Sequence, residues 1–192
     1  MPLQAVKDEI FLATSPHVRR FAEGIIAAAF GRPILDVACG SGRNALFLAQ
    51  LGATVICIDK ELSPFHANLQ RRREFVTPLS KRLLPRKVDL IEDRWPFERG
   101  SVGGIINIHF FLPALLPHFA NSLAPGGHLL LETVSGHGDN YLELPRQGEL
   151  KAALVDAFDV ASYIERTVGP SGHNAVAVKV LAKRKAYHHL SS

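Results

Sequence analysis

Apolar positions along the chain fall into two rhythms. The first stretch, "AVKDEIFLAT" and "PHVRRFAEGIIAAAF", reads as two helices. Thr14 and Ser15 stand as possible caps before Pro16, which a first helical turn tolerates, and 31–33 (Gly-Arg-Pro) stops the second helix. From Pro33 onward short apolar runs alternate with amphipathic segments. "PILDVAC" predicts a buried strand, "RNALFLAQLG" a helix closed by Gly52, and "ATVICID" a strand rich in β-branched residues. "SPFHANLQRRREFV" predicts a polar-faced helix, "RKVDLIED" a short strand and "VGGIINIHFF" another. "LPALLPHFANSLAPGG" then predicts a helix ending in a turn, "HLLLETV" a strand and "GELKAALVDAF" a helix. "DVASYIERTV" and "HNAVAVKVLAKR" predict the last two strands.

Strand–helix alternation implies a parallel sheet covered on both faces. The last two strands are separated by only "GPSG", too short for a parallel crossover, so they should pair as an antiparallel hairpin. The expected architecture is α/β: a doubly wound, mostly parallel seven-stranded sheet with an antiparallel last strand and helices on both faces. The expected organisation is one domain over 1–192, with a helical lid at 1–31, a core at 32–184 and a tail at 185–192. A ligand should sit beyond the carboxyl ends of the strands, near the first.

The stretch "ILDVACGSGRN" fits that position, since a strand running into a glycine-rich turn suits a nucleotide-like ligand. An NTP loop would need a lysine after its glycines, and 40–44 (Gly-Ser-Gly-Arg-Asn) has none. A dinucleotide motif is formally satisfied by 40–45, with Asp59 placed for a ribose hydroxyl, so an NAD-dependent oxidoreductase is an alternative. Asp36, inside the first strand, weighs against a pyrophosphate and suits a cation. S-adenosylmethionine carries an ammonium and a sulfonium, and the helix starting at Arg43-Asn44 favours its carboxylate.

"LDVACGSGRNALFLAQLGATVICIDKE" resembles the first motif and following acidic loop of class I S-adenosylmethionine-dependent methyltransferases. "DLIEDRWPFERGSVGGIINIHFF" is similar to that family's third and fourth strands, and "SLAPGGHLLLET" to its entry into the fifth. "YLELPRQGEL" resembles a segment of the small bacterial tellurite-resistance-type branch, with Gln147 where that branch usually has proline. The resemblance implies that Asp36, Ala38, Gly40 and Gly42 hold the methionyl part, with Asn44 and Arg43 as further contacts. It implies that Asp59 takes the ribose hydroxyls, Lys60 flanks the adenine, and Asp89 and Leu90 meet the adenine edge, with Glu92 and Asp93 competing for that place. Residues 107–110, among them Asn107, would face cofactor and substrate.

The reaction implied is methyl transfer to a small-molecule acceptor. Candidates to face that acceptor are His109, Tyr141, Glu143 and Arg146, of which His109, Tyr141 and Arg146 are the catalytic choices. Arg146 could bind an anionic acceptor. His137 reads as a solvated loop residue, and His188 and His189 are too isolated to hold a metal. No metal site is expected. The Asn-Pro-Pro-Tyr type of signature that accompanies amino-methylation of DNA is replaced by "NIHFF".

Composition adds bounds. The chain has 192 residues, 47% hydrophobic and 21% charged, which fits one globular domain with a sizeable core. No apolar run approaches a membrane span, and the first residues lack a secretory pattern. Cys39 and Cys57 lie in apolar contexts, so packing, a reducing environment and a cytoplasmic location are expected rather than a disulfide. The formal net charge is +4, gathered in "RRR" at 71–73, Lys81-Arg82 and 183–185. These runs allow a nucleic-acid partner, and the third reading is a non-catalytic or RNA-associated protein. No interleaved aromatic pattern supports it, so solvated surface is favoured. A monomer or homodimer is expected.

Overall fold

A computed structural model describes residues 3–134 and 142–186. Helices α1 (Leu3–Ala13) and α2 (Pro16–Ala28) precede β1 (Ile34–Val37), α3 (Arg43–Gln50), β2 (Val55–Asp59) and α4 (Ser63–Arg71). Then follow α5 (Arg73–Val76), a 3₁₀ turn at Thr77–Arg82, β3 (Leu83–Lys87) and β4 (Val102–Ile108). A 3₁₀ turn at Pro113–Leu115 leads into α6 (Leu116–Ser122), β5 (Leu123–Glu132), α7 (Glu149–Leu154), β6 (Phe158–Thr167) and β7 (Val176–Arg184).

The strands form one seven-stranded sheet in the order β3-β2-β1-β4-β5-β7-β6. β1 to β5 run parallel, and β7 is antiparallel to both β5 and β6. The chain reverses its direction of winding between β1 and β4, and a crevice at that point is where ligands of such sheets bind.

Successive strand residues point to opposite faces, so one strand feeds two cores. Ile34, Val55, Cys57, Ile106 and Leu130 pack with α1, α2, α3 and α4 on one side. Leu35, Ile56, Ile105, Leu129 and Val180 pack with α6 and α7 on the other. α2 lies so close to β4 that a Cβ on Gly103 would meet the Ala29 backbone at 2.5 Å. Ser15 caps α2 by accepting the His17 amide at 3.1 Å, with Pro16 in the first turn.

Several element boundaries differ from the periodicity. The third strand is Leu83–Lys87 rather than 86–93, so Asp89 lies in the loop beyond it. An aspartate four residues from a second one favours a turn: the Asp89 amide donates to Asp93 at 2.8 Å and the Asp89 carboxylate accepts the Ile91 amide at 3.0 Å. The helix expected over 63–76 breaks at Arg72, where φ is −116°. The helix expected over 112–127 ends at Ser122, because 125–127 (Pro-Gly-Gly) lies within β5 at an irregularity of its pairing with β4. The helix expected over 148–158 ends at Leu154. No helix among the described residues is long and apolar enough to cross a membrane.

Candidate active site

The site lies beyond the carboxyl ends of β1, β2 and β4. Asp36 occupies the third position of β1, on the side that faces α3, and is 1% exposed. Its carboxylate accepts from the Ala45 amide in the first turn of α3, while Oδ2 is buried with no hydrogen-bond partner among the described residues. Burial pushes its pKa up to about 7, against the lowering effects of the Ala45 amide and the Arg43 guanidinium. A carboxylate so placed is a strong attractor for a cation that can reach Oδ2.

The turn after β1 is held in left-handed backbone. Ala38, Gly40 and Gly42 have φ of 54°, 53° and 71°. The two glycines do different work. A Cβ on Gly40 would meet nothing within 4 Å, so its backbone faces open space where a ligand can approach. A Cβ on Gly42 would meet the Phe65 ring at 2.5 Å, so this glycine serves the packing of α4 against the turn as well as its φ. Asn44 is buried and turned toward the N-terminal helices, accepting the Ser15 amide at 3.0 Å on Oδ1.

Asp59 closes β2. Its Oδ2 accepts the Gly40 amide at 2.8 Å and its Oδ1 the Glu61 amide at 3.0 Å, so one carboxylate joins the turns after β1 and β2. Each oxygen keeps a further lone pair for a ligand hydroxyl. Ala38, Asp59, Lys60, Asp89, Leu90 and Phe110 are brought together around a cavity of about 160 Å³, with Val88 and Ile91 completing its wall. Amides of the following turn, Ile91 foremost, hold the Asp89 carboxyl below its ordinary value. Asn107, 1% exposed, donates from Nδ2 to the Val37 carbonyl at 3.3 Å and so ties β4 to β1 at the crevice.

The ends of β4 and β5 carry a second arrangement, in which sequence reading had named Ser15, Arg43 and His109 singly and missed Glu132 and Lys179. His109 also has left-handed backbone, with φ 62°. Its Nδ1 lies 3.1 Å from the Arg43 guanidinium. A guanidinium only donates, so Nδ1 accepts and the imidazole proton sits on Nε2, 3.7 Å from Glu132 Oε1. Glu132 in turn accepts from the Ser15 hydroxyl at 2.6 Å and from Lys179 Nζ at 2.8 Å. Burial pushes the Glu132 carboxyl up, but the hydrogen bonds from Lys179 and Ser15 and the charge of Lys179 outweigh it, leaving the group below its ordinary value. Nearby, His17 meets the Val180 carbonyl at 3.1 Å, and burial lowers its pKa. The signal in the sequence was the acid ending "HLLLE", which no motif flagged.

Glu143 and Arg146 are not among the residues that line the cavity. The Arg146 guanidinium donates to the His173 carbonyl, and Arg146 pairs with Ala175 in a short bridge. The Gln147 amide donates to the Asn174 carbonyl at 3.0 Å, a bond that a proline there could not make. Glu143 is exposed. Tyr141, His137, His188 and His189 lie outside the described residues. Cys39 and Cys57 are free and buried, and the Cys39 thiol together with burial pushes the Cys57 thiol well up, so neither pairs nor serves as an obvious nucleophile. Among the described residues no group of three His, Cys, Asp or Glu side chains could hold a metal ion.

Comparison with known proteins bears on the fold. Solved structures with the same fold include a geranyl diphosphate C-methyltransferase from Streptomyces coelicolor A3(2) in complex with Mg2+, geranyl diphosphate and S-adenosyl-L-homocysteine (TM-score 0.63, 15% identity, 86% of this chain and 80% of that one). Another is a putative sarcosine dimethylglycine methyltransferase from Galdieria sulphuraria (TM-score 0.66, 12% identity, 88% and 84%). A third, the [4+2]-cyclase SpnF (TM-score 0.63, 18% identity, 86% and 80%), shows that the fold also carries other chemistry. No curated protein sequence matches the chain. A family model described as tellurite resistance protein TehB matches residues 9–137, more than half of the chain, and the chain therefore belongs to the TehB family, with the fold of class I S-adenosylmethionine-dependent methyltransferases.

Proposed function

We propose that the protein is an S-adenosylmethionine-dependent methyltransferase acting on a small acceptor. The observation that carries this reading is the buried, unpartnered Oδ2 of Asp36 beneath a glycine turn that is open at Gly40. That pair suits an ammonium next to a closely approaching backbone, and it does not suit a pyrophosphate. Asp36, Ala38 and Gly40 would hold the methionyl part. Asp59 would take the ribose hydroxyls on its remaining lone pairs, and the adenine would enter the cavity between Lys60, Leu90 and Phe110 with Asp89 at its edge. The cofactor, when bound, supplies an electrophilic methyl group on a sulfonium.

The chain's own task is then to align the acceptor and exclude water. The arrangement of His109 supports a positioning role rather than that of a base, because its Nδ1 lone pair is taken by Arg43 and its Nε2 proton faces Glu132. An acceptor that is already anionic or soft needs no base. α1 and α2, joined at Thr14-Ser15 above these strand ends, would form the lid. Tyr141 and Arg146 are proposed to approach the acceptor from the segment before α7.

Calorimetric titration with S-adenosylhomocysteine tests the cofactor, and transfer of labelled methyl to a panel of small acceptors tests the reaction. The reading expects saturable cofactor binding and no thermal stabilisation by NADH. Stabilisation by NADH with no binding of either S-adenosyl compound would overturn it.

A further inference from the structure

The basic run at 71–73 and the cleft it borders have no part in the reaction proposed above. Two cavities lie side by side between α1 and the α4–α5 segment. The outer, of about 730 Å³, has walls that include Glu9, Arg71, Arg72 and Arg73. The inner, of about 210 Å³, is bounded by Ile10 from α1, Ser41 and Arg43 from the glycine turn and the start of α3, and Asn68, Arg71 and Arg72 from α4 and its end. Arg71 and Arg72 are among the residues that line the inner cavity, the Arg43 guanidinium being turned to His109, and no acidic residue among the described ones lines it.

The side chains around it are ordered rather than loosely solvated. Asn68 is 5% exposed; its Nδ2 donates to the Ser41 carbonyl at 2.7 Å and its Oδ1 accepts from Arg72 and, at 3.4 Å, from Arg71. The Arg72 side chain is 10% exposed and pairs through Nη2 with Glu9 of α1. Its Nε is buried with no hydrogen-bond partner among the described residues. A buried guanidinium N–H without an acceptor, on a residue that lines the cavity together with Arg71, has the chemistry of an oxyanion receptor.

We infer that the inner cavity is a second ligand site, distinct from the cofactor pocket, that takes a phosphate-sized oxyanion, either inorganic phosphate or the phosphate of a small monoester. Arg71 and Arg72 supply the donors. The organic part of an ester would lie in the outer cleft. The small volume of the inner cavity, with Ile10 and Ala13 of α1 along one side, favours a small anion over the extended backbone of a nucleic acid. Through Asn68 the site touches the carbonyl of Ser41, so an anion there also bears on the turn that precedes α3.

The test is titration of the full chain with inorganic phosphate and, separately, with glycerol phosphate, each in the absence and presence of saturating S-adenosylhomocysteine. Saturable binding that persists with S-adenosylhomocysteine present is expected. Equal affinities identify free phosphate as the ligand, and tighter binding of the ester brings the outer cleft into the site. Arg71→Gln, at an exposed position, should weaken the anion on the order of tenfold, while S-adenosylhomocysteine binds as before. Glu9→Gln removes the carboxylate that competes for Arg72 and should tighten the anion several-fold. The inference is overturned by the lack of saturable binding, by an anion that S-adenosylhomocysteine displaces, by wild-type affinity in both variants, or by binding confined to polynucleotides. Failure of S-adenosylhomocysteine to bind while phosphate binds would instead count against the methyltransferase reading alone.

Discussion

The two halves of the site are built from different contacts. At the ends of β1 and β2 and beyond β3, three carboxylates are held by backbone amides: Asp36 by Ala45, Asp59 by Gly40 and Glu61, Asp89 by Ile91. Except for the bond between Asp59 and Gly40, each of these contacts stays within one turn or one strand-to-helix connection. At the ends of β4 and β5, side chains hold side chains, and the partners come from far apart: Ser15, Arg43, His109, Glu132 and Lys179. The first half presents acids with spare lone pairs to a ligand. The second ties the N-terminal helices to the sheet. A ligand should therefore act mainly on the charge of the first half, and a mutation in the second should act mainly on the placement of the helices.

The largest test of this division is the charge on Asp36. Its pKa of about 7 lies above the ordinary 3.8, so between these values the folded chain holds a proton that the unfolded chain has lost. Stability of the ligand-free protein should fall as pH rises through that window, by a total on the order of 4 kcal/mol. Asp36→Asn should flatten this dependence and raise the melting temperature near pH 8. An ammonium at Oδ2 favours the ionised form, so S-adenosylhomocysteine should bind more tightly as pH rises toward 7 and should release a proton. Calorimetry in two buffers of different ionisation enthalpy reads that proton directly, and Asp36→Asn should abolish the release. A pH-independent affinity would remove Asp36 from the ligand and leave it a role in holding α3.

Asp59→Ala comes next. It removes the acceptor proposed for two ribose hydroxyls and frees the Gly40 amide, so affinity for S-adenosylhomocysteine should fall on the order of 100-fold. The fold should survive, because Asp59 is only partly buried. A loss of less than about threefold would move the ribose away from the end of β2.

What the sequence made legible follows the same division. The strand–helix alternation and the short "GPSG" link were enough for the seven-stranded sheet and its antiparallel end. Asp36 and Gly40 were legible because the geometry of a strand-to-helix turn constrains residues close together in sequence, and Asp59 because it ends the next strand. Gly42 was legible as a turn glycine, but the reason for it is more mixed, since only the structure shows Phe65 against it. Asp89 was legible as a residue but not as part of a loop, since the apolar "VDLI" hid an aspartate-initiated turn. The partnership of Ser15 with Glu132 spans 117 residues, and no local pattern encodes a contact that depends on how the joint between α1 and α2 docks on the end of β5. The Arg43–His109 contact was hidden likewise, so His109 was legible as important while its engagement was not.

Glu132→Gln tests the second half alone. Its carboxyl is held below the ordinary value, so its contribution to stability is present above the pKa of the unfolded chain and lost as pH falls through the folded value. Lys179 is 42% exposed, which screens that ion pair, and the variant should cost about 1–2 kcal/mol by chemical denaturation at neutral pH. Affinity for S-adenosylhomocysteine should stay near the wild-type value. A large loss of affinity would break the division, showing that the Glu132 network and the cofactor pocket act as one unit through Arg43.

Ser15→Ala is the smallest change and the most local. The Ser15 hydroxyl both caps α2 and donates to Glu132, while its amide, which the variant keeps, donates to Asn44. Loss of the cap alone should cost about 1 kcal/mol. The hydroxyl also anchors the joint between α1 and α2, so hydrogen exchange should quicken in α1 more than in β1 or β4. Ser15→Asp keeps a capping acceptor but brings a second carboxylate against Glu132, so it should restore the α2 cap without restoring the anchor. If Ser15→Asp slows exchange in α1 to the wild-type rate, capping alone holds the N-terminal helices. If exchange stays fast, the bond to Glu132 is what fixes them over the strand ends.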